Sequence, residues 1–418
     1  MDSQRIRVVV TGFGCVSPLG SSAESSWKAA LAGTSGATRI TRFDPSEYKS
    51  QIACEVKGFD PAGLFGPKEA RRMDRYTQLA LAASLEAVKH SGLEITDENR
   101  LRVGAVVGTG IGGLETIDRQ MRVYLESGPD RVSPFTVPMM LADSAGGIIA
   151  INLKIQGPNF SVVTACATGT NAIGEATEVI RRGQADVMLA GGSEGAILPL
   201  SLAGLGAMTA LSTRNDDPEH ASRPFDKTRN GFVIGEGAAV LILESLDHAR
   251  ARKAHIFAEI LGYGSTNDAF HISAPAENGR GAADCMRMAI EDAGLKDNAI
   301  DYINAHGTST QLNDKSETAA IKTVFGEEAY DIPVSSTKSM TGHMIGAAGA
   351  IEAMFSILAM RDGIMPPTIN YEHPDPECDL DYVPNQARKK ELNVVMSNSF
   401  GFGGHNATVI LGKSNGAN

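Results

Sequence analysis

The chain has 418 residues, 42% of them hydrophobic, with 38 Lys plus Arg against 49 Asp plus Glu for a net charge of −11. Its length predicts two to three ordinary domains or one large duplicated unit. The acidity argues against a nucleic-acid ligand, because that affinity comes mainly from neutralised phosphates. No apolar run approaches the ~18 residues that would span a bilayer. The five cysteines (Cys15, Cys54, Cys166, Cys285, Cys378) are odd in number and far apart, with no Cys-x-x-Cys. Neither a disulfide framework nor a zinc site is expected, and a reducing, cytoplasmic setting is. The N-terminus enters a strand-like run with no signal-peptide pattern.

In chain order, Val8 to Thr11 predicts a strand followed by a glycine turn at Gly12-Phe-Gly14. Pro67 to His90 predicts one long helix, its apolar face carrying Met73, Tyr76, Leu79, Ala80, Ala83, Ala87 and Val88 and its end marked by Gly92. A strand at Val103 to Val107 leads through Gly108-Thr-Gly110-Ile-Gly-Gly113 into a helical Leu114 to Leu125. Pro129 to Pro138 reads as a loop, Phe160 to Thr164 as a short buried strand, and Ala167 to Arg182 as a helix closed by Gly183. Another strand, Ala185 to Gly192, ends in glycines. Strands alternating with helices predict an α/β sandwich.

The chain also repeats itself. Ile6 to Gly14 resembles Ala258 to Gly264, Glu86 to Leu93 resembles Met288 to Leu295, and Phe232 to Leu243 resembles Phe400 to Leu411, in the same order. Three ordered pairs predict duplicated halves, 1–255 and 256–412, that meet near the polar segment Glu244 to His255. A site at the seam would draw on both.

Cys166 stands where the predicted strand turns into the helix. Unpaired N–H groups and the positive dipole end of that helix would lower a thiol pKa and stabilise an oxyanion. Most free cysteines, however, are small buried hydrophobes. Two histidines, His306 in Asn304-Ala-His-Gly-Thr308-Ser-Thr310 and His343 in Lys338-Ser-Met-Thr-Gly-His343, follow strands, on the side where open α/β sheets hold ligands. A structural histidine bonded to backbone is the ordinary alternative. His90, His248 and His255 lie in polar helical stretches and are assigned to it.

Three motifs mislead. Gly108 to Gly113 matches the dinucleotide fingerprint, but the loop Glu126 to Asp130 occupies the place of the second strand and its acidic residue. Gly191-Gly-Ser193-Glu-Gly195 matches a nucleophile elbow, but Pro199 falls where the elbow helix should run. Gly412-Lys-Ser414 lacks the upstream glycine of a P-loop. Separately, Lys68, Arg71, Arg72 and Arg75 gather positive charge on an acidic chain, which favours docking of an acidic partner.

Taken together, Thr164-Ala-Cys166-Ala-Thr-Gly, Asn304 to Thr310, Ser336 to Gly349 and Asn398-Ser-Phe-Gly-Phe402-Gly-Gly resemble the β-ketoacyl-acyl carrier protein synthases, and within them the elongating type II enzyme of fatty-acid synthesis. The likeness runs from Val8 to Leu411. It implies the thiolase fold, a duplicated five-layered αβαβα sandwich of mixed β-sheets. It makes Cys166 the nucleophile that carries the acyl chain, and has His306 and His343 assist malonyl decarboxylation. Lys338 would be a buried cation paired with Glu317. Thr308 and Thr310 match positions that hold the phosphopantetheine arm. Phe402 matches a gate over the cysteine, its N–H sharing the oxyanion with that of Cys166. Phe400 and Phe232 are expected at the substrate site, and Ile111 at an acyl pocket beside the dimer interface. Lys68, Arg71 and Arg72 correspond to the region that docks acyl carrier protein, acyl- or malonyl-loaded. A homodimer is implied, with no metal and no cofactor beyond the arm on the carrier; neither nucleic acid nor membrane is an expected partner.

The chain departs from the family pattern at His405 beside the gate, at Asp130 in a second basic segment, and at Gln311-Leu312 after the Thr-Ser-Thr run. A thiolase would need a second cysteine in Gly401-Phe-Gly-Gly-His-Asn, and an initiating synthase an asparagine at His343. A non-catalytic chain-length factor would lack Cys166. A polyketide-type ketosynthase is the remaining alternative.

Overall fold

The computed structural model describes residues 5–414. Ten strands form the main sheet: β1 (Val8–Val16), β2 (Val103–Gly108), β3 (Asn159–Phe160), β4 (Val187–Glu194), β5 (Gly237–Ser245), β6 (Ala258–Asn267), β7 (Tyr302–Asn304), β8 (Val334–Ser335), β9 (Val394–Gly401) and β10 (His405–Gly412). Their order is β3-β2-β4-β5-β1-β6-β10-β9-β7-β8. Read outward from the central β1/β6 contact, the two arms repeat one pattern: antiparallel β1–β5 and β5–β4, then parallel β4–β2 and β2–β3, matched by β6–β10, β10–β9, β9–β7 and β7–β8. Each arm is therefore a mixed sheet of one topology.

The longer helices are α1 (Arg75–Ser91), α2 (Leu114–Ser127), α3 (Ser144–Leu153), α4 (Thr168–Arg181), α5 (Arg280–Ala293), α6 (Gln311–Phe325) and α7 (Ala348–Asp362). Alternation along β5 shows the layering. Ala239, Leu241 and Leu243 face a central core filled by α4 and α7, whereas Ala238, Val240 and Ile242 face an outer core under α1 and α3. On the other arm α5 and α6 close the opposite outer core. The succession is helix, sheet, helix, sheet, helix, which is the thiolase fold. Helix α7 is buried from Ala348 to Met360, because a helix between two sheets has no wet side.

Some local expectations differ. The strand expected to end at Thr11 continues to Val16, straight through Gly12 and Gly14. These glycines do not turn the chain; they let α1 pack on the strand. A Cβ on Gly12 would lie 2.6 Å from Ser91 Cβ, and one on Gly14 2.1 Å from the Ala83 carbonyl oxygen. Gly262 and Gly264 in β6 stand 2.2 Å by the same measure from the carbonyls of Ala289 and Cys285 on α5. The repeated Gly-aromatic-Gly is thus a repeated helix-on-strand contact. The helix expected over Pro67–His90 breaks into Pro67–Ala70 and α1, which starts after Asp74, a buried carboxylate accepting the N–H and hydroxyl of Thr116 at 2.8 and 2.7 Å. Of the buried strand expected over Phe160 to Thr164, only Phe160 pairs with a neighbour, together with Asn159 before it, and Phe160 and Val163 are exposed rather than buried. No helix among the described residues is long and apolar enough to cross a membrane.

Candidate active site

Cys166 lies in a one-turn 3-10 segment, Ala165–Ala167, that runs directly into α4. Ala165 holds a left-handed φ of 49°, which swings the next residue out of the strand direction toward the second half. The quasi-equivalent position before α7 is Ile345, with φ 45°. Both halves therefore carry the same elbow, but only the first bears a cysteine; Gly346 takes its place in the second.

His343 Nε2 lies 2.9 Å from Cys166 Sγ. His306 stands edge-on to His343, with ring centres 5.4 Å apart, and one ligand-type atom from each of the three residues falls within 4.8 Å of the others. All three are buried. They meet at the seam because His306 follows β7 and His343 precedes the second elbow, while Cys166 comes from the first half. A Cys–His–His set of this kind could hold a soft metal ion as well as perform acyl chemistry. Burial, followed by the field of Lys338, holds both imidazoles well below the ordinary histidine range, so they are neutral. The Nδ1 atoms of both rings, though buried, have no hydrogen-bond partner among the described residues.

The thiol expectation needs correction. Burial pushes Cys166 up to about 12, against the opposing pull of Lys338 and of a hydrogen bond from the Phe402 N–H. The resting sulfur is therefore a thiol in contact with an imidazole, and the helix terminus does not leave it ionised. Desolvation of the buried sulfur outweighs a partial dipole charge.

Lys338 was expected beside Glu317, but its ammonium pairs with Glu352 on α7, both side chains 1% exposed. Glu317, on α6, instead accepts the backbone N–H groups of His306 and Gly307 at 2.8 Å each. It holds the histidine loop by its backbone. Sequence reasoning missed Glu352. The available signal was a lone acid within Ala348-Gly-Ala-Ile-Glu352-Ala-Met-Phe-Ser, a run too apolar for a free surface charge.

A cavity of about 380 Å³ opens on this trio, lined also by Thr308, Thr310, Phe232, Phe400 and Phe402. The hydroxyls of Thr308 and Thr310 bond each other at 3.0 Å. Phe232 meets His343 edge-to-face at 5.1 Å, and Phe400 meets His306 the same way at 5.8 Å. Phe402 is half-buried and is followed by Gly403 and Gly404, both with left-handed φ (82° and 73°). His405 packs within about 3.1 Å of the place a Gly403 Cβ would occupy. Gly401 touches the backbone of Cys166; a Cβ there would stand 3.0 Å from the Cys166 nitrogen.

Two expected features lie elsewhere. Ile111 is 41% exposed and does not line the cavity of this single chain. Lys68 and Arg71 are exposed; Arg72 bonds Glu69 and lies 4.6 Å over the Phe135 ring. Arg75 leaves the basic patch, turning inward to bond Glu236 at 2.7 Å. Of the misleading motifs, Ser193 is a fully buried member of β4 paired with Ala238, and Pro199 begins the helix Pro199–Ala207.

Two family models account for most of the chain: the beta-ketoacyl synthase N-terminal domain over residues 5–249 and the beta-ketoacyl synthase C-terminal domain over 257–372. The chain belongs to the β-ketoacyl synthase family. Within that family it is 51% identical over 410 residues to the 3-oxoacyl-[acyl-carrier-protein] synthase 2 of Coxiella burnetii, covering 98% of this chain and 99% of the relative. The enzyme of the same description from Staphylococcus aureus (strain MRSA252) is also 51% identical, over 411 residues, with the same coverage. Among solved structures, a type II polyketide ketosynthase in complex with its acyl-carrier protein and bound to a hexaketide superposes with a TM-score of 0.92 at 36% identity, covering 99% of this chain and 100% of that one.

Proposed function

We propose that this β-ketoacyl synthase elongates fatty acyl chains by condensing an acyl group held on Cys166 with malonyl-acyl carrier protein. The observation that carries the reading is the 2.9 Å contact of Cys166 Sγ with His343 Nε2, beside His306 in a cavity lined by both aromatic and polar side chains. Two neutral imidazoles and a thiol, rather than a hydroxyl and a charged relay, suit thioester exchange followed by decarboxylation.

In the first half-reaction Sγ attacks the acyl thioester, and the thiol proton leaves with the released pantetheine thiol. In the second, malonyl thioester enters and its carboxylate departs as carbon dioxide. The electron pair left on the α-carbon is held as an enolate whose oxygen takes hydrogen bonds from His306 and His343. The carbanion attacks the acyl carbonyl, and the resulting oxyanion lies between the Cys166 and Phe402 N–H groups. That attack forms the new carbon–carbon bond; collapse of the oxyanion restores the carbonyl, breaks the carbon–sulfur bond and expels the Cys166 thiolate, which takes a proton from solvent. Burial, followed by the field of Lys338, keeps both imidazoles uncharged. Thr308 and Thr310 hold the phosphopantetheine arm, and Phe402 swings on its glycines to admit each substrate. No cofactor beyond that arm enters these steps.

Carrier protein is the partner this reading requires. The exposed Lys68 and Arg71 support it, as does the carrier complex of the polyketide neighbour. Identity supports fatty-acyl over polyketide substrates, being 51% to the fatty-acid enzymes against 36% to that neighbour. The halves 1–255 and 256–412 supply the nucleophile and the histidines respectively. A second copy of the chain belongs on the β3 edge. Strand β3 ends the sheet with Phe160 exposed, and α2 shows Ile117, Met121, Tyr124 and Leu125 on one outward face, an apolar surface that a monomer rarely leaves open. Five free, buried cysteines suit a reducing, cytoplasmic setting.

The test is elongation by the purified protein over acyl-carrier substrates of graded length, with products weighed by mass spectrometry. Formation of β-ketoacyl carrier protein from malonyl carrier supports the reading. No elongation of any acyl carrier would refute it.

A further inference from the structure

Among the described residues, one group of three metal-ligating side chains draws together: Cys166, His306 and His343. Its Cys166 Sγ and His343 Nε2 lie 2.9 Å apart, and the donor atoms of all three fall within 4.8 Å of one another. A tetrahedral zinc ion, with bonds of about 2.0–2.3 Å to nitrogen and sulfur, wants its donors about 3.3–3.6 Å apart. The trio brackets that spacing, so small side-chain rotations would close it on an ion. All three side chains also line the cavity of about 380 Å³, which supplies the way in and leaves a fourth position open. The ammonium of Lys338, whose field reaches both rings, is answered by Glu352. A metal-binding imidazole normally donates its second N–H to an acceptor, but His343, which offers Nε2 to the site, has none for Nδ1 among the described residues. Lacking that outer support weakens a metal site by about 10–100-fold. The arrangement suits an ion that comes and goes, not a resident one.

We infer that Cys166, His306 and His343 form a reversible inhibitory site for zinc, which competes with the acyl group for the cysteine sulfur. As the ion binds, the S–H bond breaks and a sulfur–zinc bond forms; the proton passes to solvent, and nothing is oxidised or reduced. The thiolate is the metal-binding form of cysteine, and a thioester sulfur carries no such charge. The acylated protein is therefore closed to the ion, and the zinc-loaded protein to the acyl chain. The competition rests on the condensing-enzyme reading; the ligation does not.

The experiment titrates the whole purified protein, stripped with EDTA and desalted, with cobalt(II) as a coloured stand-in for zinc. One equivalent is expected to raise a near-ultraviolet thiolate-to-cobalt absorption, and zinc to bleach it. The absorption should vanish in Cys166→Ala and need more cobalt in His306→Ala and His343→Ala. Zinc at about ten times its dissociation constant should slow alkylation of Cys166 roughly tenfold, read by peptide mass spectrometry on the unaltered protein, which decides the matter even if a variant does not fold. Prior loading with acyl-carrier protein should prevent the absorption, and zinc should block elongation until EDTA is added. No thiolate-to-cobalt absorption, an absorption that survives in Cys166→Ala, or alkylation that zinc does not slow overturns the site. Inhibition that EDTA does not reverse overturns its reversibility, and absorption that forms as readily on the acylated protein overturns the competition. A protein that binds the ion through Cys166 yet elongates nothing keeps the site and overturns the condensing reading.

Discussion

Lys338 and Glu352 form an ion pair sealed between the two sheets, each side chain 1% exposed. Removing one member of such a pair strands the other in a low-dielectric core. Lys338→Ala should therefore cost roughly 3–5 kcal/mol of stability, read from urea unfolding, and Lys338→Met with Glu352→Leu together should recover most of it. If Lys338→Ala unfolds at the same urea concentration as the unaltered protein, the pair is not buried as described.

Cys166→Ala should abolish condensation yet keep malonyl decarboxylation, since the two histidines that hold the enolate remain. His343→Ala should remove the decarboxylation. Because burial and Lys338 hold both imidazoles well below their ordinary value, they stay neutral as pH falls through 6.5. The decarboxylation rate of Cys166→Ala should accordingly stay flat from about pH 8 to about pH 6, past the ordinary histidine value. A fall centred on pH 6.5 would show at least one histidine to be an ordinary solvated one. Elongation by Cys166→Ala would dismiss the nucleophile.

Charge reversal separates the true patch from its neighbour. Lys68→Glu with Arg71→Glu should raise KM for carrier-bound substrate on the order of tenfold at low salt, with kcat and melting temperature unchanged, and the effect should shrink as salt is added. Arg75→Ala should do the reverse. It leaves the carboxylate of Glu236, 1% exposed, without its closest cation, lowering stability by about 1–3 kcal/mol with little change in KM. Carrier kinetics that respond equally to both changes would contradict the inward turn of Arg75.

Glu244, fully buried at the end of β5, is opposed by burial but held at about 2 by bonds from Arg252, His248 and Thr11. A folded value below the ordinary carboxylate value stabilises the fold at neutral pH, and that contribution is lost as pH drops from about 4.5 toward 2. It amounts to roughly 2–3 kcal/mol. Glu244→Gln should be less stable at pH 7 and should lose less stability than the unaltered protein between pH 5 and pH 3, measured by chemical unfolding at each pH. Parallel acid limbs for the two proteins would remove Glu244 from the account.

Much of the site was legible because its chemistry is local. Cys166, His306 and His343 each sit in a glycine-rich turn beside a strand or strained elbow, and those turns leave a composition signature. The duplication was legible for a similar reason: Gly12 and Gly14 recur as Gly262 and Gly264 because each helix must touch its strand at the same place. What the glycines do was not legible. A pair that reads as a turn is, in three dimensions, an uninterrupted strand under a close-packed helix. The basic patch was misread at Arg75 for a related reason, since sequence shows a charge but not the direction in which it points.

The order of residues by itself determined most of the elements, their repetition and the three side chains, Cys166, His306 and His343, that the fold brings together, all of which depend on neighbours a few positions apart. Only the tertiary structure decided which charge answers which. Lys338 meets Glu352 and not Glu317, and the Cys166 thiol stays protonated despite its helix. These outcomes depend on the distance and solvent exclusion created when two halves close on one another, and neither quantity is encoded in any single stretch of chain.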